Sequence, residues 1–110
     1  MQHDDASRLH HMLDAARKAV EFSKGKDRGS LDSDEQLLLS LTRLLEIIGE
    51  AAKNISLDLR IRQPEIPWKD IAGTRDRLSH GYFDVDYDIV WNIVSNDLPF
   101  LISKLEKIVI

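Results

Sequence analysis

Residues 35–57 read EQLLLSLTRLLEIIGEAAKNISL. Within them Leu37, Leu38, Leu41, Leu44, Leu45, Ile48, Ala51, Ala52 and Ile55 recur every three or four residues. That is the period of one apolar helical face, and it excludes the alternation of a strand. Carried to Leu57, the helix would be about 36 Å long at about 1.5 Å per residue, roughly the length of a whole small domain. Two start signals precede it, Asp32 with Glu35 and Ser33 with Gln36. In either pair the first side chain would accept from the first-turn backbone while the second reaches back.

Outward from this element the pattern stays helical. From about Asp5 to Ser23, the residues Leu9, Met12, Leu13, Ala16 and Val20 fall on one face. Gly25 and Gly29, with charges between them, form a solvated loop. On the C-terminal side Pro64 and Pro67 punctuate the chain, and Pro67 suits the first position of a short helix carrying Trp68, Ile71 and Ala72. Gly73 loosens that helix, the segment Thr74–His80 continues it, and Gly81 is its stop. Asp84 or Asp86 caps a last helix from Tyr87 to about Val109, with Ile89, Val90, Ile93, Val94, Leu98, Leu101, Leu105 and Ile108 inward. Pro99 lies inside that pattern and frees the carbonyl of Ser95, so it kinks the helix without ending it. The expected fold is all-α: an up-and-down bundle of four main helices in a single domain, residues 1–110.

Composition narrows the function. The chain has 110 residues, 43% hydrophobic and 31% charged, which describes one globular domain. Without cysteine, it has no disulfides, thiolate nucleophiles or cysteine-ligated zinc. The start lacks the pattern of a signal peptide and no apolar run approaches a membrane span, so the expected location is the cytoplasm. A net charge of −4 argues against unspecific coating of nucleic acid. Residues 53–80 nevertheless hold six basic groups (Lys53, Arg60, Arg62, Lys69, Arg75, Arg77) against four acidic ones, and form the only net-basic third.

That third ends in the octapeptide Arg75-Asp76-Arg77-Leu78-Ser79-His80-Gly81-Tyr82. A histidine, with a reference pKa of about 6.5, exchanges protons near neutrality. An arginine stays charged and forks onto phosphate oxygens. Those two groups suffice for RNA transesterification, in which the ribose 2′-OH is the nucleophile and neither a protein nucleophile nor a metal is needed. Arg75 and His80 are five residues apart, about 140° around a straight helix. Either the helix ends near His80, or a second chain completes the site. Asp76, one turn before His80, is placed to orient its ring.

The motif Arg75-x4-His80-x-Tyr82, with a polar residue after the arginine, resembles that of HepT-like toxins in the HEPN superfamily. The flanks agree: Leu45–Ile55 resembles the family's second helix, Ile66–Ile71 its approach to the motif, and Phe83–Trp91 its continuation beyond the motif. An R-x4-H alone is weak, whereas three segments in the right order are specific. The resemblance implies a helical bundle that dimerises, joining two motifs in one cleft, and a metal-independent endoribonuclease without cofactor. It also implies a minimal nucleotidyltransferase antitoxin as partner. By position, Arg75 would stabilise phosphate charge and His80 would be the general acid or base. Tyr82 would be the acceptor for adenylylation.

Competing readings are weaker. Asp84, Asp86 and Asp88 suggest a calcium loop, but its sixth position would be Ile89 and its twelfth Ser95, where such loops need Gly and Glu. His10, His11 and Asp14 offer too few ligands for a metal. Trp68 and Trp91 suit core or interface packing better than base stacking. Two functions from different classes stand: a toxin ribonuclease, and a catalytically silent helical partner of a nucleotidyltransferase.

Overall fold

The computed structural model describes residues 3–79 and 84–109, and the described residues are helical with no strand. Helix α1 runs His3–Ser23, α2 Ser30–Ser33, α3 Glu35–Lys53, α4 Leu57–Arg62, α5 Trp68–Ala72 and α6 Thr74–Leu78. The last rod comprises α7 (Tyr87–Asn92), a π-helical turn (Ile93–Asp97) and α8 (Leu98–Ile108). Three long rods and a broken fourth, α5–α6, make the bundle, as its periodicity predicts. The buried faces are those read from the spacing: Leu9, Met12 and Ala16 of α1, Leu41, Leu45 and Ile48 of α3, and Val90, Val94, Leu98, Leu101 and Leu105 of the last rod. They form one core cluster, and burying each Leu, Met or Val contributes about 1.5–3 kcal/mol.

Element ends depart from expectation where tertiary partners intervene. The cap of α3 is Asp34, not Asp32 or Ser33: its carboxylate accepts from the backbone N–H of Leu37 at 3.1 Å. The residues 30–33 are already committed to α2, which buries Leu31, while Asp32 pairs with Arg28. Helix α3 stops at Lys53, short of Leu57, because Asn54 caps it and the chain turns. Ser56 then starts α4, its hydroxyl accepting from the N–H of Leu59. Asp5, almost fully buried at the start of α1, fixes that turn by accepting from the Ser56 backbone N–H at 2.9 Å and from its hydroxyl at 2.6 Å. Pro67 sits one position outside α5, which begins at Trp68.

Of the two candidate caps for the last rod, Asp86 is the one used, accepting from the Ile89 N–H at 3.1 Å. The disturbance expected at Pro99 appears as the π-helical turn immediately before it. There the N–H of Leu98 reaches back to the carbonyl of Ile93, widening the rod by one residue without breaking it. Gly25, at φ +73°, supplies the left-handed residue that turns the chain after α1. Among the described residues no helix is long and apolar enough to cross a membrane.

Candidate active site

The segment carrying Arg75 is placed by contact with α3. Gly49 is buried in α3, and a Cβ there would lie 3.0 Å from the carbonyl oxygen of Ile71 and 3.3 Å from Cβ of Thr74. Only a residue without a side chain lets the α5–α6 backbone come this near. Thr74 is buried at the same contact, its hydroxyl donating to the Ile71 carbonyl at 2.6 Å, so the polar group is satisfied. Gly73 closes α5 and opens α6, and the N–H groups of Asp76 and Arg77 both donate to its carbonyl. A five-residue helix is too short to hold itself. Its placement comes from Gly49, Thr74 and the buried Leu78.

Arg75 is exposed and lines a cleft of about 240 Å³ with Arg43, Glu46, Gly49, Glu50, Lys53 and Ala72. Among the described residues neither Arg75 nor Asp76 makes an ion pair or a side-chain hydrogen bond. The Arg75 guanidinium is therefore uncommitted, with cations at Arg43 and Lys53 and carboxylates at Glu46 and Glu50 around it. Arg43, Glu46, Glu50 and Lys53 form a charged stripe on α3 opposite its apolar face. That stripe is visible in the spacing, but charges at helical spacing ordinarily mark a solvated face, and nothing local to them points to Arg75.

Helix α6 ends at Leu78, two residues before His80, so the straight-helix angle between Arg75 and His80 does not apply. Ser79 is extended (φ −129°, ψ 145°) and pairs antiparallel with Val85. The Asp86 N–H donates to the Leu78 carbonyl at 2.7 Å. Ser79, in the second half of the motif, and Val85, beyond its end, are thereby fixed against each other. His80, Gly81 and Tyr82 lie outside the described residues, as does the proposed orientation of His80 by Asp76.

The return side is anchored from a distance. Arg28 bonds to Asp88 and Asp32 and lies 5.6 Å from the ring centroid of Tyr87. The bond to Asp88, more than that to Asp32, raises the guanidinium pKa above its ordinary value. Sixty residues separate these partners, and no local signal in the sequence announces the clamp. Among the described residues no three His, Cys, Asp or Glu side chains are grouped to hold a metal ion. Trp68 is buried with its indole N–H donating to the Gln63 carbonyl at 2.9 Å, the packing role expected of it.

The sequence model of the family described as Ribonuclease HepT-like matches residues 12–108. The chain is 39% identical over 100 residues to a Thermococcus cleftensis protein named "Probable ribonuclease HepT", covering 91% of each chain. It is 37% identical over 98 residues to a Methanocaldococcus jannaschii protein provisionally named an RNase, covering 89% of this chain and 90% of that one. A Caldanaerobacter subterraneus protein, also provisionally named an RNase, is 38% identical over 100 residues, covering 91% and 89%. No solved structure matches significantly.

Proposed function

The chain belongs to the HepT-like ribonuclease family of the HEPN superfamily, and from that membership we propose that it is a metal-independent endoribonuclease acting through Arg75 and His80. The observation that carries the reading is Arg75. It is exposed, makes no ion pair or side-chain hydrogen bond among the described residues, and stands on a helix placed by contact with Gly49; just beyond that helix Ser79 pairs with Val85.

In this reaction the ribose 2′-oxygen attacks the adjacent phosphorus as its proton passes to a base. The P–O5′ bond breaks, and the departing 5′-oxygen takes a proton from an acid. The products are a 2′,3′-cyclic phosphate and a 5′-hydroxyl. His80 serves as general acid or base, Asp76 orients it, and Arg75 neutralises charge gathering on the non-bridging oxygens. The test is incubation of purified protein with RNA in excess chelator. Wild type cleaves and leaves cyclic phosphate ends, and His80→Ala is about 10²–10⁴-fold slower. Equal rates for the two proteins would overturn the assignment, and wild-type cleavage abolished by the chelator would overturn metal independence.

The same reading makes the protein the toxin of a toxin–antitoxin pair in the cytoplasm, its partner a minimal nucleotidyltransferase. The phenolic oxygen of Tyr82 attacks the α-phosphorus of ATP, pyrophosphate leaves, and the phenolic proton passes to a base of the transferase. The resulting phosphodiester brings negative charge beside Arg75, where it competes with the RNA phosphate, and the adenosine fills the cleft. Intact-mass measurement after co-expression tests this: an AMP adduct on wild type and none on Tyr82→Phe is expected. An adduct that persists on Tyr82→Phe places the modification elsewhere.

The protein is proposed to act as a two-fold homodimer with both motifs on a common groove. Leu39, 58% accessible on α3, and Leu57 and Ile61, 70% and 68% accessible on α4, are large apolar side chains left outside the core, which supports an association between chains.

A further inference from the structure

A second cleft, of about 640 Å³, opens on the other side of α6, between α5–α6 and the π-helical turn. Its floor is apolar, with Leu45, Ile48, Ile71, Ile93 and Leu101 among the lining residues. Its mouth is polar: Asp70, Arg77, Asn96 and Asp97 are all exposed there, beside Phe100, which is 48% accessible. An apolar cavity of this size with a few converging polar groups is the usual form of a small-molecule site.

Arg77 and Asp97 face each other at the mouth as a long ion pair. The nearest guanidinium nitrogen of Arg77 lies 3.9 Å from an Asp97 carboxylate oxygen, beyond hydrogen-bonding distance. Neither side chain bonds to any other group among the described residues. A donor fork and a two-oxygen acceptor therefore stand side by side with their capacity open. Asn96 gives one amide hydrogen to Asn92, and its side-chain carbonyl oxygen accepts no bond among the described residues. The arrangement owes its shape to the π-helical turn, which contributes Ile93, Asn96 and Asp97 to the lining.

We propose that this cleft is a subsite for one base of the RNA substrate, and that the base it favours is guanine; this rests on the ribonuclease reading. On its Watson–Crick edge guanine presents an acceptor, O6, next to two donors, N1–H and the N2 amine. A guanidinium beside a carboxylate is the complement of that edge: Arg77 donates to O6 while Asp97 accepts from N1–H and N2. Adenine has its single donor where guanine has its acceptor, and the pyrimidines bring less surface to the apolar floor. Phe100, exposed at the rim with Lys104 Nζ 5.4 Å from its ring centroid, supplies an aromatic ring of the kind on which unstacked RNA bases stack. Arg77 and Arg75 are two residues apart on α6, about 200° around the helix. The phosphate site and the base site thus lie on nearly opposite faces of one helix, so the base read at Arg77 lies more than one nucleotide step from the cleaved linkage.

The test titrates the full-length protein with GMP, AMP, CMP and UMP by calorimetry, then maps cleavage on an RNA of mixed sequence. Wild type is expected to bind GMP about tenfold or more tightly than AMP, the discrimination of one bidentate contact. Asp97→Asn should lose that preference while still binding nucleotide weakly, and its cleavage should continue with the bias for guanosine removed. Equal binding of all four nucleotides, or a guanosine bias unchanged in Asp97→Asn, would overturn the proposal and leave the ribonuclease reading standing. Wild type that binds GMP selectively but cuts no RNA would instead overturn the ribonuclease reading. Phe100→Asp checks the other occupant: conversion of a dimer to a monomer, in a protein whose wild type binds none of the four nucleotides, assigns the cleft to a contact between copies, against the proposal.

Discussion

At the scale of single residues, Arg75 and Gly49 act as a pair, although chemistry is proposed for Arg75 alone. The Arg75 side chain is exposed and makes no bond among the described residues, so replacing it should leave folding unchanged. Arg75→Lys keeps the charge but loses the planar fork, and is expected to cut cleavage about 10²-fold or more with an unaltered melting temperature. Near-wild-type cleavage by Arg75→Lys would show that charge alone suffices there. Gly49→Ala is the opposite case. Its Cβ would sit 3.0 Å from a backbone oxygen that cannot swing aside, so α5–α6 must shift. A loss of about 1–3 kcal/mol is expected in urea unfolding, together with reduced cleavage because Arg75 moves with its helix. A Gly49→Ala protein as stable and active as wild type would mean that the contact positions nothing.

At the scale of elements, the caps decide where helices start, and they are local enough to test one at a time. Asp34→Ala removes the acceptor for the Leu37 N–H and should cost about 0.5–2 kcal/mol. Ser33→Ala should cost almost nothing, since that hydroxyl makes only an exposed 3.4 Å bond to Ser30. Comparable losses for the two would restore the cap read from the sequence. A surface pair ties the segment before α5 to α8: Glu65 accepts from Lys104 at 2.6 Å, and that bond holds the Glu65 carboxyl below its ordinary value. A depressed folded-state pKa contributes stability above the unfolded value of 4.5, and the contribution fades as pH falls through the folded value. Wild type should therefore exceed Glu65→Gln in stability at pH 7 and converge with it near pH 3, by unfolding at both. With Glu65 well exposed the difference should be small; a gap that widens on acidification would reverse the sign.

At the scale of the whole molecule, three rods bury one core and leave a charged cleft on one side of α6 and a larger apolar one on the other. Exposed Leu39, Leu57 and Ile61 remain outside that core. With the expectation of a shared catalytic groove, this predicts a dimer, and light scattering at micromolar concentration is the check. A monomer throughout that range would leave each chain with a single Arg75 and a single His80, and the shared-groove mechanism would fail.

The leucines and isoleucines of 35–57 settled the helical class and the core faces, because a period near 3.6 has one economical burial. The octapeptide 75–82 raised the expectation of chemistry, because its residue types are the ones that phosphate and proton transfer require. Neither could say where α3 would stop: Asp5 and Ser56 decide that, fifty-one positions apart, by burying a carboxylate against a turn. Nor could they give the reach of Arg75, set by a glycine that lets two backbones meet, or the cleft beneath Arg77 and Asp97, shaped by a widened turn ahead of Pro99. Periodicity and residue chemistry are properties of neighbours along the chain. Close approach, burial of a charge and the shape of a cavity depend on segments that meet only after folding.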